Sequence, residues 1–196
     1  QRPSSEACDD CISGRVVVDE FRPNSRFSRN VKRHRDLKAE EIEAEATLEQ
    51  YEVFRTYLDH RHVDGGMTDM SVVDFALMVE ESAVDTSLIE YRIKNAGTFA
   101  TEDGSEKPPL AAVALTDRLE DGLSMVYSFF DPNLQNRSLG TYMILEHIER
   151  TRKLGLPYLY LGFWVDGSRK MNYKIKFQPQ EHLGRRGWAR SPNPAM

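Results

Sequence analysis

The stretch from Leu123 to Lys153 constrains the fold more than any other part of the sequence. It begins with an apolar, aromatic-rich run that favours a buried β-strand, and Asp131-Pro132 follows as a turn. A helix then begins at Arg137-Ser138-Leu139-Gly140, where the first N–H groups have no intrahelical acceptor. Such a helix start carries partial positive charge and can bind a phosphate or another anion. The stretch therefore predicts a strand, an anion-binding loop and a helix.

The segments on either side of this stretch predict a mixed sheet. Apolar runs at Leu88–Ile93 and Leu110–Thr116 are separated by turn residues, a pattern that favours an antiparallel meander. After the helix, which Gly155 ends, Tyr158–Val165 reads as a second buried strand. A strand–helix–strand connection of this kind places its two strands parallel. We therefore predict an α/β (α+β) domain over residues 45–190, with a mixed, mostly antiparallel sheet flanked by helices.

Charge is unevenly distributed along the chain. Residues 137–196 contain eleven Lys/Arg and four Asp/Glu, a net charge of +7, whereas residues 39–136 have a net charge of −15. The segment Arg26–Lys38 contains six more basic residues. Both basic regions could follow a polyphosphate or nucleic-acid backbone, although ordinary solvated surface would give the same counts. No apolar run approaches the ~18 residues of a membrane span, and the cytoplasm is the expected location.

The strand, the R-x-x-G loop and the helix resemble the core of GNAT-type acyltransferases, with Tyr142 in place of the small residue that usually follows. Longer motifs carry a more specific resemblance, and they occur in this order: Tyr51–Arg61, Asp64–Met67, Asp121–Pro132, Arg137–Tyr142, Gly155–Gly162 and Lys170–Lys174. Together they resemble the aminoacyl-tRNA–protein transferases of the N-degron system, and most of all its bacterial branch, the aspartate/glutamate leucyltransferases. The resemblance covers roughly Cys8 to Trp188.

This resemblance implies transfer of leucine from leucyl-tRNA to the N-terminal α-amine of proteins that begin with Asp or Glu, marking them for degradation. It also implies an N-terminal domain with several cysteines, which in eukaryotic relatives is tied to an iron–sulfur cluster or zinc. Residues 1–44 would be a remnant of that domain, and residues 191–196 a tail. Cys8 and Cys11 supply half of a tetrahedral zinc site. We therefore expect no metal and no cofactor unless further N-terminal residues complete that pair.

The resemblance also assigns the donor site. Arg137 and the N–H groups of Ser138, Leu139 and Gly140 would hold the terminal phosphates of the tRNA acceptor end. Tyr142 could stack on the terminal adenine. The reaction is aminolysis of an already activated ester, so no ATP and no nucleophilic side chain are required. The absence of a Ser-His-Asp or Cys-His pattern agrees with such chemistry.

Asp131, Tyr127 and Lys170 are the candidate catalytic residues. Asp131 would bind or deprotonate the acceptor amine, although capping of the turn before Pro132 is an equally good interpretation. Tyr127 could stack on the donor, or it could be a core aromatic residue. Lys170 is followed by Tyr173 at i+3 and Lys174 at i+4, a spacing that would place all three on one face of a helix.

The acceptor's carboxylate requires a cation, and the candidates are Lys170, Lys174 and Arg92, with Tyr173 beside them. Three other functions stay open at this stage. They are transfer from arginyl-tRNA to the same acceptors, CoA-dependent N-acylation, and non-catalytic binding of tRNA or peptide. No membrane partner is expected.

Overall fold

The computed structural model describes residues 11–61, 69–101, 104–165 and 171–191. Cys8, the Asp64–Met67 segment and Lys170 lie outside these residues. The helices are Ser25–Arg33 (α1), Leu48–Arg61 (α2), Val72–Glu80 (α3) and Leu139–Lys153 (α4). Two 3-10 turns span Pro132–Arg137 and Lys174–Lys176. The strands are Cys11–Val17 (β1), Leu37–Glu43 (β2), Asp85–Ile93 (β3), Phe99–Ala100 (β4), Glu106–Lys107 (β5), Leu110–Leu119 (β6), Gly122–Phe130 (β7), Tyr158–Val165 (β8), Gln180–Gly184 (β9) and Gly187–Arg190 (β10).

Eight strands form one sheet in the order β10-β9-β1-β8-β7-β6-β3-β2, and β4 and β5 form a separate hairpin. Every neighbouring pair in the large sheet is antiparallel except β7 and β8. The predicted mixed, mostly antiparallel sheet and its parallel pair are therefore confirmed. Strands β7 and β8 pair only from Gly122–Ser124 to Tyr158–Tyr160. Beyond these residues the two strands have no shared pairing, which leaves an opening at their carboxyl ends.

Helices cover both faces of the sheet and bury two apolar clusters. Phe54 of α2 packs on Phe75 and Phe129 at ring-centroid distances of 5.0 and 5.4 Å. On the other face, Ile148 of α4 belongs to a cluster that also contains Leu159. The α4 residues that face inward recur at helical spacing, as expected for a helix buried against a sheet. The start of α4 is therefore held rigidly at the carboxyl end of β7.

A buried polar network fixes α4 to the sheet. The His147 side chain is fully buried; its Nδ1 lies 2.8 Å from the Met143 carbonyl and its Nε2 lies 2.9 Å from the Thr116 hydroxyl. Burial lowers the pKa of His147, so the neutral ring can donate at one nitrogen and accept at the other. Removing either partner would leave a polar group unsatisfied, and the network therefore specifies the position of α4.

Three parts of the sheet differ from what the sequence pattern indicates. The run from Arg15 to Phe21 predicts a short strand, whereas the observed strand β1 spans Cys11–Val17. Strand β2 lies at the end of the basic segment, and the tail contributes the hairpin β9–β10. The short basic helix expected at 170–174 is, in its described part, the 3-10 turn Lys174–Lys176. Described residues before residue 45 thus contribute the strands β1 and β2 to the same sheet. They also form the helix α1, which packs against α4. Within the described residues, no helix is long and apolar enough to span a membrane.

Candidate functional site

The start of α4 has the geometry of an anion-binding helix end. Ser138 occupies the N-cap position with a left-handed backbone (φ 59°, ψ 50°), and its side chain makes no capping hydrogen bond. The N–H groups of Leu139 and Gly140 donate to no other residue that the structure describes. Leu139 is fully buried and anchors the turn. The helix start therefore has uncapped N–H groups with partial positive charge, and of these two residues Gly140 is the one that is partly exposed to a ligand.

Helix α1 places a row of arginines opposite this helix start. Arg26, Arg29 and Arg33 recur at positions i, i+3 and i+7, so they share one face of the helix. All three are exposed, and none forms an ion pair with a described carboxylate. They line a cavity of about 450 Å³, whose walls are Arg26, Arg29, Asn30, Arg33, Ser138 and Thr141. We call it the α1–α4 pocket; its charge suits a polyanionic ligand.

Asn30 and His34 join the two helices that form the α1–α4 pocket. The Asn30 side-chain nitrogen lies 3.4 and 3.3 Å from the carbonyls of Arg137 and Ser138, and its Oδ1 is buried with no hydrogen-bond partner among the described residues. His34 is fully buried, and its Nδ1 lies 2.8 Å from the Asn30 carbonyl. Burial lowers the pKa of His34, which favours the neutral ring. The pocket is thus preformed by contacts within the protein.

Tyr142 has one ring face covered by the protein. Its ring stacks on His34 at a centroid distance of 4.5 Å and an interplanar angle of 19°. Tyr91 lies against it in an edge arrangement at 5.9 Å. Burial raises the pKa of the Tyr142 hydroxyl. The Tyr142 ring therefore packs the first turns of α4 against His34 and Tyr91. It is not among the residues that line the α1–α4 pocket.

Arg137 contacts two residues that line the pocket, Asn30 and Arg33, and its own charge is compensated by Asp36. Its guanidinium group donates to both carboxylate oxygens of Asp36, at 2.9 and 2.5 Å, and to the Arg33 carbonyl at 3.0 Å. Hydrogen bonding from Arg137 lowers the pKa of Asp36. A bidentate pair of this kind is geometrically specific, so a phosphate would have to compete with Asp36 for Arg137.

The candidate catalytic residues are dispersed. Asp131 Oδ1 accepts hydrogen bonds from the backbone and side-chain N–H groups of Asn133, both at 2.9 Å, which is a turn cap. Tyr127 is half-buried and packs on Phe54 and Phe129 at 6.0 and 6.4 Å, within the first apolar cluster. Lys170 lies outside the described residues. The structure therefore places Asp131 at the end of β7, beside the opening, and Tyr127 within packed aromatic rings.

Arg92 is unsuited to acceptor binding because it is buried and already forms ion pairs with Glu49 and Glu90. It is 4% exposed, and its guanidinium donates to Glu90 at 2.8 Å, to both oxygens of Glu49 at 3.1 and 2.7 Å, and to the Pro108 carbonyl at 2.7 Å. A substrate carboxylate would have to displace two protein carboxylates from a buried place. We therefore correct the assignment: Arg92 belongs to the interior of the sheet–α2 interface.

The remaining acceptor candidates lie after β8. Tyr173 packs against the second apolar cluster. Lys174 Nζ lies 2.7 and 3.0 Å from the carbonyls of Leu161 and Phe163. Both carbonyls belong to β8 residues beyond Tyr160, where pairing with β7 ends. Lys174 therefore lies beside the opening between the two parallel strands.

The described residues contain no group of three or more His, Cys, Asp or Glu side chains arranged to hold a metal ion. Cys11 is half-buried on β1 and is a free thiol, and its sequence partner Cys8 is outside the described residues.

Comparison with known proteins decides the family. The family described as "Arginine-tRNA-protein transferase, C terminus" matches residues 49–184. An aspartate/glutamate leucyltransferase of Mesorhizobium japonicum is 53% identical, over 100% of this chain and 76% of the relative. Another from Nitrobacter hamburgensis is 54% identical, over 96% of this chain and 72% of the relative. The chain belongs to the aspartate/glutamate leucyltransferase family.

Solved structures of distant sequence share the leucyltransferase's fold. The crystal structure of FemX superposes with a TM-score of 0.55 at 8% identity, covering 81% of this chain and 54% of FemX. L-PGS from Bacillus licheniformis superposes with a TM-score of 0.50 at 12% identity, covering 81% of this chain and 47% of that one. These likenesses concern the GNAT-like fold alone.

The α1 arginines are the part of the α1–α4 pocket that the sequence motifs do not identify. The sequence shows the segment Arg26–Lys38 to be basic, and the i, i+3, i+7 spacing of Arg26, Arg29 and Arg33 predicts one charged face. That this face lies opposite the α4 start depends on contacts between residues about a hundred positions apart, such as Asn30 with Ser138. No local pattern encodes such a contact.

Proposed function

We propose that this chain transfers leucine from leucyl-tRNA to the N-terminal α-amine of proteins that begin with Asp or Glu. Such acceptors would then be marked for degradation, in the cytoplasm where charged tRNA is available. The observation that carries the proposal is the α1–α4 pocket, in which three arginines that pair with no described carboxylate line the same cavity as Ser138, the N-cap residue of α4. A member of this family needs a site of that charge for its tRNA donor.

The acceptor end of the tRNA occupies the α1–α4 pocket in this proposal. Arg26, Arg29 and Arg33 bind phosphate oxygens, because planar guanidinium groups match that geometry and stay charged at any physiological pH. The N–H group of Gly140 and the Ser138 hydroxyl donate to the terminal phosphate, whereas the buried Leu139 anchors the turn. Arg137 joins them when a phosphate competes with Asp36. Tyr142 supports the pocket through its stack on His34.

The reaction requires little from the protein beyond positioning. The acceptor's α-amine attacks the leucyl carbonyl carbon, a C–N bond forms, and the ester C–O bond breaks. The amine loses a proton, and the terminal ribose oxygen leaves as a hydroxyl group after gaining one. Because a free α-amino group has a pKa of about 7.7–8.0, a useful fraction is neutral near pH 7. Alignment of amine and ester, with stabilisation of the developing oxyanion, supplies the catalysis.

Asp131 is proposed to bind the acceptor amine. Its Oδ1 caps the turn through Asn133, while its Oδ2 makes no hydrogen bond to a described residue. The free oxygen lies on the carboxylate that follows β7, beside the opening. A carboxylate with one oxygen fixed by the turn and one available can orient an ammonium or amine without moving.

A transfer assay tests this function directly. The chain is given leucyl-tRNA or arginyl-tRNA with peptides that begin with Asp, Glu, Arg or Ala, and acetyl-CoA replaces the tRNA in a further arm. We expect leucine to be added to the Asp and Glu peptides alone. The arginyl-tRNA arm is included because the matched family is described by arginine-tRNA. Equal transfer from arginyl-tRNA, or acylation from acetyl-CoA, would overturn the proposal.

A further inference from the structure

Lys174 is a half-buried cation that differs from the buried arginines Arg15 and Arg92 in what surrounds it. Its ammonium contacts two backbone carbonyls, those of Leu161 and Phe163. No carboxylate of the described residues lies within ion-pair distance of it. By contrast, Arg15 pairs with Glu181 at 2.8 Å and Arg92 pairs with Glu49 at 2.7 Å. Lys174 is thus a half-buried positive charge with no counter-charge in the part of the chain that the structure describes.

The position of Lys174 follows from an irregularity in β8. Between Tyr160 and Phe163 this strand has one more residue than β1 opposite it, which is a β-bulge at Leu161–Gly162. Gly162 has a left-handed backbone with φ +70°, which glycine adopts without strain. The bulge coincides with the loss of pairing to β7 after Tyr160. Lys174 Nζ donates to carbonyls on both sides of this bulge and is thereby fixed in place.

Burial lowers the pKa of Lys174, and no negative charge among the described residues offsets that effect. An uncompensated cation is unfavourable in a folded protein unless a ligand supplies the opposite charge. An ammonium group has three donors, of which the two carbonyls use two. One charged N–H therefore remains for an acceptor atom that approaches through the opening.

We propose that Lys174 binds the side-chain carboxylate of the acceptor's N-terminal Asp or Glu and thereby selects acidic acceptors. The inference rests on the proposed leucyl transfer, and it assigns acceptor selection to one residue. The donor's phosphates are served by the arginines of the α1–α4 pocket, whereas Lys174 lies at the other side of the opening, after β8. Asp131, at the end of β7, holds the amine of the same acceptor residue. The amine of the acceptor residue thus binds Asp131, which follows β7, and its side-chain carboxylate binds Lys174, which follows β8.

The proposal is tested with a pair of acceptor peptides that differ only in charge, one beginning with Asp and the other with Asn. The ratio of kcat/KM for the two peptides measures selection by charge. In Lys174→Gln the side-chain amide can still donate to the two carbonyls, but the charge is lost. We expect that ratio to fall by on the order of 10- to 100-fold, as for loss of a charge-assisted hydrogen bond. The KM for leucyl-tRNA should stay unchanged.

Two variants make the comparison specific. Lys174→Arg keeps the charge and should retain a large part of the preference for Asp. Lys176→Gln removes an exposed lysine from the same 3-10 turn and should leave the Asp/Asn ratio unaltered. An unchanged ratio in Lys174→Gln overturns the inference. So does an equal loss with both peptides, because that result indicates a structural role or stabilisation of the oxyanion.

Wild-type protein provides a test that does not depend on folding of a variant. Reductive methylation of lysines, read by mass spectrometry, reports the accessibility of Lys174 and Lys176 in parallel. The Asp peptide should protect Lys174 and leave Lys176 reactive, and the Asn peptide should protect neither. Equal modification of Lys174 with both peptides overturns the inference. If the wild-type chain protects Lys174 but transfers no leucine, the proposed function fails while the acceptor site stands.

Discussion

Arg15 and the arginines of α1 illustrate two ways in which this molecule uses the same side chain. Arg15 on β1 is 8% exposed, and it pairs with Glu181 at 2.8 Å. Its guanidinium carbon lies 3.4 Å from the centroid of the Tyr158 ring and 4.2 Å from that of Trp188. Arg29 on α1, in contrast, is exposed and lines a cavity. The protein surrounds the first charge completely and leaves the second open to a ligand.

The difference indicates which cations hold the fold and which serve function. A guanidinium group that is covered by carboxylates and aromatic rings has no donors left for a substrate, so its contribution is to stability. Exposed arginines that repel one another on one helix face contribute little to stability by themselves. Their arrangement is therefore best explained by a ligand that supplies the negative charge. Substitutions of buried, paired arginines and of exposed pocket arginines test this distinction separately.

The largest effect is expected at Arg92, on the structural side of the comparison. Replacing Arg92 with Met leaves Glu90, which is 5% exposed, without its ion-pair partner. Loss of one partner from a buried pair should lower the free energy of unfolding by about 3–5 kcal/mol. Chemical denaturation measures this change. Arg118→Met, at an exposed β6 position, is the control and should change stability by less than about 0.5 kcal/mol. A loss below 1 kcal/mol at Arg92 would show that its pairs are not structural.

The next effect is expected in the α1–α4 pocket. The double variant Arg29→Ala/Arg33→Ala should raise the KM for leucyl-tRNA by about 100-fold, since each phosphate contact involves a charge-assisted hydrogen bond. The free energy of unfolding should stay within about 0.5 kcal/mol of the wild-type value, because both side chains are exposed. Affinity for tRNA should also depend less on salt, by roughly one unit of slope per lost contact. Wild-type kinetics in this variant would remove the pocket from the donor site.

The sequence predicts the centre of the fold well, because that part is encoded locally. The run Gly122–Phe130, the helix from Leu139 and the buried strand Tyr158–Val165 each carry a strong period or an apolar run. Strand β2 is harder to predict because it is an edge strand whose exposed positions are mostly glutamates, which hide the alternation. The hairpin β9–β10 is joined to the sheet only through β1, at the opposite end of the chain. Pairing over that distance leaves no local signal.

The candidate site likewise contains features that a short stretch of sequence predicts and features that depend on contacts between distant residues. The anion-binding geometry at Ser138–Gly140 follows from a loop and a helix start, which are visible in a short window of sequence. Arg92 is paired with Glu49, which lies on α2 and not on the strand that contains Arg92. Because the local sequence around Arg92 does not show this partner, the sequence predicts a cation that is available to the acceptor. Lys174 is identified as a candidate by its charge and position. Its isolation from carboxylates is a property of the packed structure alone.

The smallest effect is expected at the boundary of the two classes, where Arg137 is paired with Asp36 and also contacts Arg33, which lines the pocket. If Arg137 joins the donor site, Arg137→Ala should raise the KM for leucyl-tRNA by roughly tenfold, as for one charge-assisted contact. Asp36→Asn should lower that KM or leave it unchanged, because it releases Arg137 from competition. Unchanged kinetics in Arg137→Ala would assign Arg137 to the structural class.

The pH dependence of stability separates the two roles of this pair. Arg137 lowers the pKa of Asp36 in the folded state. The pair therefore stabilises the fold above the ordinary carboxyl pKa of about 3.9 and loses that contribution as the pH falls through the lower, folded-state pKa. Both Asp36→Asn and Arg137→Ala should flatten this acid limb by the same small amount in thermal unfolding. Only Arg137→Ala should weaken tRNA binding, because only that substitution removes the cation that lies next to the α1–α4 pocket.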